Sequence, residues 1–216
     1  MMIAIFSDVH GNLPALEKFV QSTRQIADAY LCLGDVVNYG PWNDECLELV
    51  HSLPGIVLVE GNHERLFLGT ELIQDEIALV QEFFAHSMKY FTRRDLITGL
   101  PVSYELDSFI CTHTIDSRRI YINTEIEVTN NYVIGHTHHQ YSIGRSGKLI
   151  VNPGSIGQNR GNSELLNYAL YDTTSHMVTL CEEPSPIDQF IRELVSRAYP
   201  ERCIDYYRNK RKGLGA

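Results

Sequence analysis

Three times in its first 64 residues the chain runs from a short apolar stretch into a glycine-flanked cluster of polar side chains, and this repeat narrows the choice of folds sharply. Met2 to Phe6 leads into Ser7-Asp8-Val9-His10-Gly11, Ala29 to Leu33 into Gly34-Asp35, and Ile56 to Val59 into Gly61-Asn62-His63-Glu64. Short apolar runs closed by such clusters read as buried strands feeding loops. Between them, Leu13 to Gln25 carries Leu13, Leu16 and Val20 at helical spacing, behind an Asn12 cap and with Pro14 in the first turn. Asp44 to Ser52 reads as a second helix that Pro54-Gly55 ends. Strand, loop and helix in succession predict an α/β sheet, which gathers the three clusters beyond its carboxyl edge, where ligands bind.

Further on, Ile73, Ile77, Val80, Phe84, Met88 and Phe91 fall at spacings of three and four, so Glu71 to Arg94 is expected to form one amphipathic helix or two. From Val102 the pattern turns strand-like: Val102 to Leu106, Phe109 to Thr112, Tyr132 to Ile134, Leu149 to Val151, Asn167 to Tyr171 and Met177 to Leu180. Ile187 to Ala198 and Glu201 to Arg211 read as closing helices on either side of Pro200. No stretch has linker composition, which predicts a single domain over 1–216, with 184–212 a C-terminal helical extension packed on it.

A formal charge of -9 repels extended polyanions, so neither a long nucleic acid nor an anionic membrane is expected as a partner. The one basic run, Arg208, Lys210, Arg211 and Lys212, reads as a solvated helix end. Five cysteines, odd in number and without a C-x-x-C pair, argue against a disulfide framework or a thiolate zinc site. No stretch approaches the roughly 20 apolar residues of a spanning helix, and the apolar run at the N-terminus stops at Asp8. A cytoplasmic protein is the expectation.

Singly, each polar cluster could be a turn or a cap. Together with His113, which follows a predicted strand, and with Gly135-His136-Thr137-His138, they supply two Asp, one Asn and four His. These are hard oxygen and imidazole donors at strand ends. Asp8 and His10, two apart on what reads as an extended segment, can converge on one ion, and His136 and His138 repeat the spacing. Seven donors exceed the three or four that one catalytic ion takes, so two ions sharing a carboxylate is the economical reading, with Asp35 the natural bridge. The mixed donor set without thiolate suits Mn, Fe, Zn, Ni or Co and does not decide among them; Mn is the expected ion, with Mg a further alternative. His51, His86 and His176 fall in predicted helices or a turn and read as structural, His139 as a neighbour pointing away from the site, and Cys111 as a small buried apolar residue.

In order and spacing, Asp8-x-His10, Gly34-Asp35, Gly61-Asn62-His63-Glu64, His113 and Gly135-His136-Thr137-His138 resemble the calcineurin-like metallophosphoesterase superfamily. Asn152-Pro153-Gly154-Ser155-Ile156-Gly157 is similar to its small bacterial and archaeal predicted phosphodiesterases. The resemblance implies a four-layer α/β/β/α sandwich, in which two mixed β-sheets pack together and helices flank them. It assigns Asp8, His10 and His138 to a first ion, Asn62, His113 and His136 to a second, and Asp35 to both. It also implies hydrolysis of a small phosphodiester, a nucleotide or cyclic nucleotide included, by a metal-activated hydroxide. His63 would protonate the leaving alkoxide, and Asn62 and Arg160 would contact substrate.

The match departs at Thr114-Ile115-Asp116 and at His139-Gln140, so the substrate-facing loops are expected to differ. Glu64 stands where the small phosphodiesterases usually have Asp. Arg65, Arg118, Arg119 and Arg160 are the candidate phosphate-binding cations, with Arg160 preferred. Phosphomonoesterase or protein phosphatase activity is the alternative chemistry, and a non-catalytic protein-interaction scaffold the alternative of another class.

Overall fold

The computed structural model describes residues 1–211, so Lys212 of the basic run and of the expected C-terminal extension lies outside the described residues. Ten strands form two five-stranded mixed sheets. The first sheet joins β1 (Met2–Phe6), β2 (Ala29–Cys32) and β3 (Val57–Leu58), all parallel, to the antiparallel β9 (Leu165–Asp172) and β10 (Met177–Pro184) in the order β10-β9-β1-β2-β3. The second holds β5 (Phe109–Thr112), β6 (Asn131–Ile134) and β8 (Lys148–Pro153) in parallel, flanked by antiparallel β4 (Ser103–Leu106) and β7 (Gln140–Arg145).

Alternation along β1 explains how the sheets stack. Ile3 and Ile5 face the second sheet, packing in one cluster with Leu31, Leu33, Cys111, Val133 and Val151. Ala4 and Phe6 point the other way, into a cluster with Ala15, Leu16 and Phe19 of α1 (Leu13–Thr23) and Cys46, Leu47 and Val50 of α2 (Asn43–His51). A period of two thus serves both faces of a sheet buried on both sides. The outer face of the second sheet is covered by Ile115, Ile120 and Val128 from the segment between β5 and β6.

A third apolar cluster lies beyond the edge of the strands. There α4 (Ala78–Ser87), α5 (Ile187–Ser196) and α6 (Glu201–Arg208) meet around Phe83, Phe190, Leu194 and Tyr207, and Tyr39 joins them from the loop after β2. The expected helix over Glu71 to Arg94 is therefore α4 with short 3-10 turns at Ile73–Asp75, Met88–Tyr90 and Arg94–Leu96. Two elements were not foreseen. Strand β7 alternates buried Tyr141 with exposed Ser142, and α3 (Asn62–Leu68) begins on Asn62 itself. No described helix is long and apolar enough to cross a membrane.

Gln140, at one of the departures from the family pattern, has a structural part. Its side-chain amide reaches the carbonyls of Pro153, Tyr168 and Cys181, at 3.2, 3.0 and 2.8 Å, and so ties β8 of one sheet to β9 and β10 of the other.

Candidate metal centre

All seven expected ligands lie where the strands end. The loops after β1, β2 and β3 bring Asp8 and His10, Asp35, and Asn62, while the ends of β5 and β6 bring His113, His136 and His138. They do not stand on extended backbone. Asp8, His10, Asp35, His136 and His138 have φ of 55°, 52°, 55°, 67° and 61°, in the left-handed region. The expected convergence of Asp8 with His10 and of His136 with His138 therefore comes from left-handed turns that begin where the strands stop.

Non-glycine residues in that region cost about 1 kcal/mol or more each and persist only where the surroundings fix them. Here backbone bonds do so: the Asp8 N–H donates to Gly34 O at 3.1 Å, His10 N–H to Asp35 O at 3.1 Å and Gly157 N–H to Asp8 O at 3.1 Å. Contact is so close that a Cβ on Gly157 would lie 1.8 Å from Val9 O, and one on Gly61 2.2 Å from Asp35 Oδ1. This accounts for glycine at both positions.

The ligand atoms fall into two sets. His138 Nε2 is 3.2 Å from both His10 Nε2 and Asp8 Oδ1. His113 Nε2 is 3.1 Å from Asp35 Oδ2, 3.1 Å from Asn62 Oδ1 and 3.2 Å from His136 Nδ1. Atoms about 2.1 Å from one shared ion in tetrahedral or octahedral geometry lie roughly 3.0 to 3.5 Å apart, so the second set and the His138 contacts of the first have the spacing of a coordination shell, with His10 Nε2 to Asp8 Oδ1 wider at 3.7 Å. His10, Asp35 and His63 form a further close group that joins the two sets.

Tautomers agree with a metal role. His10, His113 and His138 each hold Nδ1 against a backbone carbonyl, of Val37 at 3.1 Å, Leu33 at 2.7 Å and Gln158 at 2.7 Å. A carbonyl only accepts, so Nδ1 carries the proton and Nε2 turns a lone pair to the centre when the ring is neutral. Asp8 Oδ1 is buried with no hydrogen-bond partner among the described residues. A buried, unsatisfied carboxylate oxygen amid imidazole lone pairs fits a cation.

Glu64 is the residue the sequence reading underused. Fully buried, it accepts from Asp35 N–H at 2.7 Å, Gly61 N–H at 2.9 Å and Val36 N–H at 2.8 Å, so it locks the β2 and β3 loops together. The side chain that departs from the small phosphodiesterases thus sets the position of Asp35. Burial, reinforced by the Asp35 charge and opposed by these N–H bonds, pushes its carboxyl up to about 7. In Glu64→Gln an amide NH2 faces backbone donors on one side, leaving two of them without an acceptor. The expected loss in denaturant unfolding is about 2 to 5 kcal/mol, whereas a loss below about 0.5 kcal/mol would refute this locking role.

Around Asp35 the charges are unevenly set. Burial alone would raise its carboxyl, but the imidazoles of His113 and His63 outweigh that and hold it well below the usual range. Asp8 is also low, the His138 imidazole overcoming burial. Burial lowers His136 to about 3 with the help of His113, and lowers His10 and His63. Burial opposes a charged His113 too, yet Asp35 raises it to about 9.

A folded value above the roughly 6.5 of a free imidazole means that the protonated His113 stabilises the metal-free protein fully below that pH. This contribution is lost as pH rises through about 9. A ligand must shed its proton, so affinity for the ion that His113 would hold is expected to rise about tenfold per pH unit from roughly 6.5 upward, levelling near 9. Calorimetric titration of the metal-stripped protein across this range checks it, and a flat profile would refute it.

His63 is buried beside Asp35 Oδ2, at 3.8 Å from Nε2, without joining either set. Asn38, itself at φ 74°, fixes its proton. The Asn38 Oδ1 accepts from Tyr39 N–H at 2.7 Å, which turns its amide NH2 to His63 Nδ1 at 2.8 Å. Nδ1 must then accept, leaving the proton on Nε2 facing the centre.

A cavity of about 220 Å3 opens over Asp35, Asn62, His63, His136 and His138. Of the candidate cations, Arg119 and Arg160 line it. Arg65 instead pairs with Glu71 at 2.5 Å and Glu60 at 3.4 Å, and Arg118 reaches the Glu125 carbonyl. The basic run divides. Arg208 pairs with Glu201 and Asp205 and Arg211 with Asp188, but Lys210 lines the cavity, which corrects its reading as part of a solvated helix end. His139 is exposed beside Tyr121, away from the ligands, and His51, His86 and His176 bond elsewhere.

Residues 1–176 match the sequence model of the calcineurin-like phosphoesterase superfamily domain. The chain belongs to that superfamily. A calcineurin-like phosphoesterase domain so placed includes every one of the seven donors and His63. An uncharacterised protein of Methanocaldococcus jannaschii is 23% identical over 230 residues, covering 93% of this chain and 94% of its own. The crystal structure of a metallophosphoesterase from Sphaerobacter thermophilus is similar with a TM-score of 0.79 and 25% identity, over 96% of this chain and 98% of that one. A hypothetical protein of Pyrococcus horikoshii shares the fold with the same TM-score of 0.79 at 14% identity, over 95% and 97%. The superfamily match ends before α5 and α6, although Tyr206 and Lys210 help to wall the cavity.

Proposed function

We propose that this chain hydrolyses a small phosphodiester at a centre of two divalent cations. Asp8, His10 and His138 would hold one ion, Asn62, His113 and His136 the other, and Asp35 both. The observation that carries the reading is the pair of donor sets with coordination-shell spacing, joined through Asp35 at the floor of one cavity. When bound, such ions lower the pKa of water toward neutrality and stabilise charge on phosphoryl oxygens.

The protein's own groups do the rest. The His63 Nε2–H is aimed into the cavity and can pass its proton to the departing alkoxide, while Asn38 holds the ring in that tautomer. Arg160, on the cavity wall, supplies a planar cation suited to phosphoryl oxygens. A cavity of about 220 Å3 and a net charge of -9 favour a small substrate over polymeric nucleic acid.

The test is hydrolysis of an aryl phosphodiester and an aryl phosphomonoester by metal-stripped protein resupplied with Mn, then with Fe, Zn, Ni, Co or Mg. Turnover that needs added metal, with the higher kcat/KM on the diester, is expected. A higher kcat/KM on the monoester would reverse the substrate order, and inactivity with every metal would favour the scaffold reading.

A further inference from the structure

Beside the donor sets, the cavity wall carries three cationic side chains, two of them without a salt bridge to any carboxylate among the described residues. Arg119, Arg160 and Lys210 all line it, in a chain of net charge -9. Apart from Asp35, Glu76 is the carboxylate among the lining residues, and its charge interaction is with Arg119. Arg160 and Lys210 form no ion pair among the described residues, although Arg197, Arg202, Arg208 and Arg211 each do. The Arg160 Nε–H is buried with no hydrogen-bond partner among the described residues. Lys210 Nζ lies 4.6 Å from the Tyr206 ring centroid. Burial and the nearby Arg160 charge bring the Lys210 ammonium down to about 8.

The two cations are held together by design of the backbone. Ser163, three residues past Arg160, donates its N–H to Lys210 O at 2.9 Å and its hydroxyl to Tyr207 O at 3.1 Å. Gln158, two residues before Arg160, donates its amide to Tyr207 Oη at 3.1 Å, and its carbonyl accepts from His138 Nδ1. Donor His138, the loop after β8 and the end of α6 are thus one connected unit. Like charges fixed together in a half-buried wall disfavour the empty protein and are relieved by an anion placed between them.

We propose that Arg160 and Lys210 form an anion subsite, completed by the C-terminal helices, which holds a second phosphoryl group of the substrate. The inference rests on the phosphoester reading above and adds to it the class of substrate, a phosphoester that carries a further phosphate. Lys210 thereby becomes a specificity-determining residue, and its contribution is to binding.

The first test needs no metal. Full-length, metal-stripped protein is titrated calorimetrically with inorganic phosphate at neutral pH. Binding is expected in the wild type and in Lys18→Met, and about tenfold weaker binding in Lys210→Met and Arg160→Met. Phosphate should raise the melting temperature of the wild type more than that of Lys210→Met. Without phosphate, Lys210→Met should melt no lower than the wild type, which also shows that it folds. Wild-type protein that does not bind phosphate, or Lys210→Met binding it within twofold of wild type, would overturn the subsite.

The second test uses the metal-loaded enzyme and the ratio of kcat/KM for a dinucleotide with a 5′-phosphate to that for the same dinucleotide without it. The ratio should exceed one in the wild type and fall about tenfold in Lys210→Met. An unchanged ratio would overturn the second-phosphate assignment. Hydrolysis of neither dinucleotide would tell against both the phosphodiester reading and this substrate class, while phosphate binding to the metal-stripped protein would still decide the anion subsite.

Discussion

Asp35→Asn is expected to reduce metal-dependent turnover to below about a thousandth of the wild-type rate. One carboxylate oxygen, Oδ1, accepts the His63 N–H at 2.9 Å, and the other, Oδ2, stands 3.1 Å from His113 Nε2. An Asn carbonyl can keep the first bond. Its NH2 then occupies the second position, where a donor group and a neutral charge replace the shared ligand. The backbone of the loop stays tied through Glu64 to Asp35 N–H and Gly61 N–H, so the variant should remain folded and fail at metal retention. Metal analysis after desalting reads this directly. A variant that keeps its full metal content and more than a tenth of its activity would remove Asp35 from the bridging position.

His63→Gln is expected to lower kcat by about 10²- to 10⁴-fold, in the range of general acid catalysis, with metal content unchanged. The ring lies outside both donor sets, and its Nε2–H faces the cavity because Asn38 occupies Nδ1. A proton donor matters most when the leaving oxygen is basic. The loss should therefore be larger for an alkyl diester than for a nitrophenyl ester, whose leaving group needs little protonation. Equal losses on the two would mean that His63 acts on charge common to both, and loss of metal from the variant would make it a ligand.

Much of this centre could be read from the order of residues, because the chemistry sits at strand ends and strand ends are marked by composition. The apolar runs before Asp8, Asp35 and Asn62 announced β1, β2 and β3, and a sheet with parallel β1, β2 and β3 brings their carboxyl ends together. What sequence spacing misjudged was the local path. Asp8 and His10 were expected on extended backbone, but the turn that aims them is left-handed and is imposed by bonds to Gly34, Asp35 and Gly157. Those partners are distant in sequence.

The same reason hid Glu64, Asn38 and Lys210. Each stands beside a partner brought near only by the fold: Glu64 at Asp35 N–H, Asn38 at His63, and Lys210 on the same cavity wall as Arg160. Helix α3 escaped notice because its seven residues start on a residue already assigned to the site. Strand β7 was legible in the alternation of Tyr141 and Ile143 with Ser142 and Gly144, but glycine weakens that signal.

A two-ion centre that hydrolyses phosphoesters is tested most simply by one titration. Metal-stripped protein at a concentration far above the dissociation constants is titrated with Mn while hydrolysis of an aryl phosphodiester is followed. Activity is expected to lag through the first equivalent and to level off at two ions per chain. Full activity at one ion per chain, or none at any ratio, would be incompatible with a two-ion centre.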